Sequence, residues 1–303
     1  MGKLLSTLLS SDERSPRRLN PPDLNALSVT LPPEILDKIL MEIPMHRDGH
    51  GRQTLIACAL VATWWTGPSQ RRLFSSVEVD DWNYEQWMNG VVFSRSKAYL
   101  LGYVLSLSRC RGPTYGRWGR MEDIPEDSVQ YFSALRNLRS LSFFDTAFKH
   151  INEERFRPCF SAFRETLTHL SFVSLATSFG AFVTFVNHFP NITSLELSLS
   201  VVRPDDGPVP PLSRPLRGKL HVHKTITNCV EFFNRFAMLD PEYEELVIDS
   251  SIVFSRTEFV EIALRISPRT VRFLKLIDSL RVSNLFPYPS SKPHPYPTFS
   301  HSG

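Results

Sequence analysis

A short apolar triplet recurs at nearly constant intervals from residue 138 onward. It follows the pattern L-x-x-L-x-L, with Val, Ile, Phe or Tyr allowed for Leu. Its central residue falls at positions 141, 170, 195, 220, 246 and 274. The copy around Leu220 is weaker, because Arg217 occupies its first position. The intervals of 29, 25, 25, 26 and 28 residues are long enough for one strand and a returning helix. The spacing therefore predicts a set of similar strands, each followed by a return segment.

The triplet also predicts which side chains share a face. Side chains alternate along a strand, so the residues that flank the apolar positions point away from the core. In a repeat solenoid this outer face would line the concave side, and we predict that it binds a protein partner, through Phe144, His169, Val173, Glu196, His221, His223, Val247, Asp249, Phe273 and Lys275. Both charge signs with scattered apolar groups are typical of protein-binding surfaces. The face lacks the basic stripe that nucleic acid requires.

Two short amphipathic helices are predicted ahead of the repeats. The first covers residues 31–43, with prolines at its start and Pro44 at its end. The second covers residues 54–65 and ends before Gly67 and Pro68. Two helices of this length cannot bury both of their apolar faces against each other. We therefore expect something else to cover the remainder.

The Leu-Pro-x-Glu-Ile-Leu start of the first helix and the Val-x-x-x-Trp end of the second resemble the F-box motif. That motif docks onto the adaptor subunit of SCF ubiquitin ligases. The resemblance assigns adaptor binding to Leu31, Pro32, Glu34, Ile35, Leu36, Ile39, Leu40, Ile43, Leu55, Leu60, Val61 and Trp65. The chain departs from the family at Ala62, where Cys is usual, and in a longer loop between the helices. An ordinary amphipathic hairpin is the alternative interpretation.

The repeats resemble leucine-rich repeats, although the usual Asn is missing from them. In overall layout the chain is similar to the F-box proteins with irregular leucine-rich repeats that are abundant in mushroom-forming fungi. The resemblance implies an α/β fold, with an F-box-like helical motif at 30–75 and a leucine-rich-repeat solenoid at 76–282. Residues 1–29 are predicted to be a disordered leader and the Pro-rich residues 283–303 a disordered tail. A common α/β domain with coincidental spacing is the alternative.

The function that follows from the resemblance is substrate recognition in an SCF-type E3 ubiquitin ligase. The partners would be the adaptor, the cullin and RING subunits reached through it, and a protein substrate that the sequence does not identify. The alternative is a scaffold that uses the same repeats without a ligase. In both cases the chain itself is not an enzyme.

No motif for catalysis or cofactor binding is present. The sequence lacks a Gly-rich phosphate loop, a G-x-S-x-G elbow and an H-E-x-x-H pair. His221 and His223 alternate onto one strand face, but no third metal ligand lies near them in sequence, so we predict no metal site. The cysteines are too far apart for a zinc or redox motif and are predicted to be buried thiols.

Charge and hydropathy make stable membrane insertion unexpected. The net charge is only +3, and no apolar run reaches the length of a membrane span. Residues 1–6, Met-Gly-Lys-Leu-Leu-Ser, fit the pattern for N-myristoylation and leave acylation open. A single acyl chain binds membranes only marginally. We expect a cytoplasmic or nuclear protein.

Overall fold

The structure is a computed structural model that describes residues 31–45, 50–79, 83–109, 132–148, 153–205, 208–223, 230–250, 265–266 and 270–278. The predicted leader, 1–29, and the predicted tail, 283–303, lie outside these residues. Three helices come first: α1 (Pro33–Met41), α2 (His50–Val61) and α3 (Thr63–Phe74). The strands that follow are β1 (Ser76–Val79), β2 (Ser106–Arg109), β3 (Ser140–Phe144), β4 (Ala147–Phe148), β5 (His169–Ser178), β6 (Ser194–Arg203), β7 (Arg217–Val222), β8 (Glu242–Ser250) and β9 (Phe273–Asp278).

Helical segments lie in several of the connections between strands. They are α4 (Tyr84–Trp87) with a π-helical turn at Met88–Val92, a 3₁₀ helix at Ala98–Tyr103, α5 (Glu153–Phe160) with a 3₁₀ turn at Ser161–Phe163, α6 (Phe179–Asn187) and α7 (Val230–Ala237). The helix α7 leads into β8. The chain therefore alternates strand and connection, as the triplet spacing predicted.

The nine described strands form one sheet, and eight of them lie across it in the order in which they occur along the chain. Every pairing is parallel, and the short β4 pairs with β5 beside them. Connections between parallel strands are nearly always right-handed, so crossovers that all advance in one direction lie on one face of the sheet. We call this the covered face, and the opposite one the open face.

A row of aliphatic side chains crosses the sheet on its covered face. The strand registers align Val77, Leu107, Leu141, Leu170, Leu195, Leu220, Leu246 and Leu274. The six members from Leu107 to Leu246 are at most 1% exposed, whereas Leu274, in the last strand, is 45% exposed. The predicted register of the repeats is confirmed by this row. It also extends to β1 and β2, which precede the first triplet.

Phenylalanine side chains fill the space between the sheet and its connections. Phe143 and Phe172, on neighbouring strands, stack with ring centroids 5.5 Å apart. Phe185, from α6, meets both rings edge-on at 5.8 and 5.3 Å. Edge-to-face and offset-stacked rings are each favourable by about 0.5–1.5 kcal/mol beyond the area they bury. These contacts hold α6 against the covered face.

The α/β class is confirmed, but the predicted leucine-rich solenoid is not, because the strands form an open parallel sheet. Strand length varies from two residues in β4 to ten in β5 and β6. The connections also differ, since one contains a nine-residue helix and another an eight-residue helix with a 3₁₀ turn. A solenoid stacks units of similar shape. Near-constant intervals in sequence did not ensure that similarity here.

The helix predicted at 54–65 is divided between two helices. The first, α2, begins earlier, at His50, and ends at Val61, because Ala62 is extended with φ −155° and ψ 152°. The next helix, α3, continues past Pro68, where the sequence predicted a stop. Proline removes one helical hydrogen bond. Burial of Leu73 further along α3 offsets that loss.

The predicted burial of the cysteines is confirmed at Cys159, whereas Cys58 is half-buried. Burial raises the pKa of the Cys159 thiol to about 11, so it stays protonated at neutral pH. The other two cysteines, Cys110 and Cys229, lie outside the described residues.

Gly218 holds the register of β7. Its φ is +86°, and a Cβ atom added there would lie 2.2 Å from the carbonyl oxygen of Thr193, which immediately precedes β6. The pairing of β7 with β8 shifts between Gly218 and Lys219. A residue without a side chain is therefore required at this irregularity.

Removing one member of the aliphatic row should destabilise the fold. We expect Leu195→Ala and Leu246→Ala each to lower the free energy of unfolding by about 2–5 kcal/mol, because both side chains are buried. Ser194→Ala, one residue earlier on the open face, should change it by less than about 0.5 kcal/mol. Denaturant unfolding measures these changes. Equal losses would show that the faces are assigned wrongly.

Gly218→Ala should lower the free energy of unfolding by more than about 1 kcal/mol, since alanine is strained at positive φ and would meet the carbonyl of Thr193. Gly102→Ala is the matched control. A Cβ atom there meets nothing within 4 Å, so thermal and denaturant unfolding should change little. A tolerant Gly218→Ala variant would contradict this account of β7.

Candidate protein-interaction surfaces

The three N-terminal helices form a unit with its own small core. Its buried side chains are Leu36 and Leu40 from α1, Leu55 from α2 and Leu73 from α3. At the rim, Arg71 pairs with Asp37 at 3.1 Å, with both side chains more than two-fifths exposed. Such a pair contributes at most about 1 kcal/mol. The leucines therefore supply most of the packing.

The helical unit also carries apolar side chains on its outside. Ile35 and Ile39, one turn apart on α1, are 43% and 44% exposed. Leu60 and Val61, at the end of α2, are 78% and 74% exposed. Neighbouring apolar side chains at a protein surface, such as the pair on each of these helices, usually mark a contact with another molecule. We call these four residues the helical apolar surface.

The structure divides the residues that the sequence assigned to adaptor binding. Those in the core are Leu36, Leu40 and Leu55; those half-buried are Leu31, Ile43 and Trp65; those exposed are Pro32, Glu34, Ile35, Ile39, Leu60 and Val61. Residues of the first group can contact a partner only if the helices separate. The sequence reasoning also missed Met41 and Trp64, which are exposed at 66% and 38%. Both are apolar residues on predicted helices, and this was the sequence signal that could have identified them.

The open face of the sheet bears the residues predicted to bind a substrate. The registers arrange its side chains in rows, of which one contains His169, Ser194, Lys219, Glu245 and Phe273, and the next contains Ser171, Glu196, His221, Val247 and Lys275. Beyond these rows, Phe144 is paired with Val173 and Asp249 with Ile277. The sheet therefore brings the predicted residues onto one face.

The apolar members of this face do not form a single patch. Phe144 on β3 and Phe273 on β9 are five strand positions apart, which corresponds to about 24 Å. Phe273 is 69% exposed, but Val247 is only 3% exposed. A partner could reach Phe273 directly, whereas Val247 offers almost no surface. The exposed apolar contact at this end of the sheet is therefore Phe273.

Glu196, His221 and His223 meet near the middle of the open face. Oε1 of Glu196 lies 3.9 Å from Nδ1 of His221, and Oε2 lies 3.7 Å from Nε2 of His223. The imidazole ring centroids are 3.7 Å apart. The interaction with His223 is the main cause that lowers the pKa of the Glu196 carboxyl, to about 2. Hydrogen bonding to Ser171 lowers this pKa further, whereas burial acts in the opposite direction. Glu196 is therefore ionised at neutral pH.

The sequence analysis placed all three residues on one face but did not join Glu196 to the histidines. Glu196 follows the central leucine of its repeat, Leu195, as His221 follows Leu220. Parallel pairing in register therefore puts Glu196 beside His221. The equivalent repeat positions were the signal that could have identified the cluster.

None of the helices among the described residues has both the length and the apolar character that crossing a lipid bilayer requires. Comparison of the sequence with known proteins finds no matching family model and no matching curated protein.

Proposed function

We propose that the protein is a substrate-recognition subunit of an SCF-type ubiquitin ligase. In this proposal α1 to α3 bind the adaptor, which links the chain to cullin and RING subunits, and the open face binds a protein substrate. The observation that carries the proposal is the helical apolar surface, which remains exposed on a unit whose core is already filled. The resemblance of residues 31–65 to the F-box motif supports the same assignment.

The exposed side chains are large enough to sustain docking. Full burial of one isoleucine, leucine or valine is favourable by about 1.5–3 kcal/mol. Association loses translational and rotational freedom, so several such side chains must be buried together. Each of two helices exposes a neighbouring pair, Ile35 with Ile39 on α1 and Leu60 with Val61 on α2. A partner with a complementary apolar groove would supply the burial that the helices do not provide for themselves.

The junction between helices and sheet suits a receptor that positions one protein relative to another. Only Ser75 separates α3 from β1. Phe74 packs against both the helical core and the sheet core, and Tyr99 donates a hydrogen bond to Gln70 of α3 at 3.0 Å. A substrate on the open face would thus be kept near the ligase. Proximity raises the effective concentration of its lysines at the charged conjugating enzyme.

We expect Ile39→Asp and Val61→Asp to weaken adaptor binding at least about 10-fold, because each replaces an exposed apolar contact with a charge. Both side chains are exposed, so the fold should be retained. Leu36→Asp is unsuitable as a test, since Leu36 is 1% exposed and its loss would disrupt the helical core.

Co-purification of the adaptor with the full chain measures the effect, and circular dichroism checks the fold. Gln53→Asp is the control, because it places the same charge at an exposed polar position of α2. Undiminished adaptor binding by both variants would contradict the docking proposal.

Phe273→Ser should release proteins bound to the open face and lengthen their half-lives in cells, while adaptor binding is unchanged. Met238→Ser is the control, because Met238 is 83% exposed but follows α7, in a connection. Affinity capture followed by measurement of protein turnover tests both effects. Release of partners without any change in their half-lives would favour the ligase-independent scaffold. Release by Met238→Ser alone would contradict the assignment of the open face.

A further inference from the structure

The Glu196, His221 and His223 cluster offers three metal-ligating atoms in one place. One donor atom from each side chain can be chosen so that all three lie within 4.8 Å of one another. Two of the donors are imidazole nitrogens and the third is a carboxylate oxygen. The sequence analysis found only the two histidines, because the third ligand comes from the neighbouring strand.

The separations are close to those of a coordinated ion. Zn²⁺ binds imidazole nitrogen and carboxylate oxygen at about 2.0–2.2 Å, so tetrahedral geometry places neighbouring donors about 3.3–3.5 Å apart. One carboxylate oxygen lies 3.9 Å from His221 and the other lies 3.7 Å from His223, and a set with one donor atom from each residue spans at most 4.8 Å. Closing the longest separation to a tetrahedral value requires a relative movement of at most about 1.5 Å. Side-chain rotation provides that movement without a change in the strands.

We propose that Glu196, His221 and His223 bind a Zn²⁺ ion on the open face of the sheet. Three protein ligands leave one position of a tetrahedral ion for water. The side chains are 40%, 17% and 33% exposed, respectively, so the fourth position is accessible to solvent. The ligands belong to the face that is proposed to bind a substrate, but direct measurement of Zn²⁺ binding tests the site separately from the ligase role.

The donor set favours zinc over the hard cations. Ca²⁺ and Mg²⁺ prefer oxygen ligands throughout, whereas imidazole nitrogen suits Zn²⁺ and its transition-metal neighbours. Zn²⁺ also has no geometric preference from its d electrons. It can therefore accept the arrangement that the two strands impose.

The backbone positions the ligands before any ion binds. Glu196 and His221 are paired across β6 and β7, and the backbone N–H of His223 donates to the carbonyl of Leu197 at 2.7 Å. Leu197 and Val222, which alternate with the ligands, are anchored in the core. Ser171 hydrogen-bonds Glu196 from β5, the kind of outer contact that orients a metal-binding carboxylate.

Calorimetric titration of the full chain with Zn²⁺, after treatment with a chelator, tests the proposal. We expect the unsubstituted chain to bind Zn²⁺. His221→Gln, His223→Gln and Glu196→Gln should each lower the Zn²⁺ affinity by more than about 100-fold, which exceeds the 10–100-fold cost of losing an outer contact. Zn²⁺ should also raise the melting temperature of the unsubstituted chain.

His169→Gln is the matched control, because His169 is an exposed histidine on the open face outside the cluster. It should leave Zn²⁺ affinity unchanged. Equal affinity in the His221→Gln, His223→Gln double variant and the unsubstituted chain would overturn the proposal, as would the absence of Zn²⁺ binding by the unsubstituted chain.

If the variants do not fold, X-ray absorption spectroscopy of the Zn²⁺-loaded unsubstituted chain identifies the ligands directly. Two imidazole nitrogens with oxygen ligands support the site, and any other ligand set overturns it.

Discussion

The molecule depends on the packing of one aliphatic row that crosses the sheet from strand to strand. Its central members, such as Leu170 and Leu195, are buried between the sheet and the connections that follow each strand. Because side chains alternate, burial of this row sends the intervening residues to the opposite face. That face carries Ser, His, Lys and Glu side chains, which are not part of the hydrophobic core. The location of candidate function is therefore a consequence of how the core is built.

Much of the sheet could be predicted from sequence because the burial pattern repeats. All six triplets correspond to strands, and the central leucines lie where the period places them. The short strands β1 and β2 have no full triplet, so Val77 and Leu107 could be assigned to the row only from the structure. The division at Ala62 was also missed, because local signals at Gly67 and Pro68 predicted a helix end that tertiary packing overrides.

The candidate sites show a different limit of sequence reasoning. A helical stripe containing Ile35 and Leu36 identifies an apolar helix but not which neighbour turns inward. That choice depends on where α2 and α3 pack. The histidine cluster was incomplete in sequence for a related reason, since Glu196 precedes His221 by a whole repeat. Spacing along a chain detects ligands on one element, whereas a parallel sheet assembles them across elements.

The glycine at 218 determines what the imidazoles can touch. A strand that slips by one residue turns every side chain to the other face. In β7 such a slip would carry His221 and His223 toward the phenylalanine-rich interior and expose Leu220 and Val222. The slip would therefore bury polar rings without partners, which costs free energy, and separate them from Glu196. The positive φ of Gly218 therefore affects side chains several residues away. It helps to set which side chains of β7 face the solvent, and so whether the exposed surface carries imidazoles or aliphatic groups.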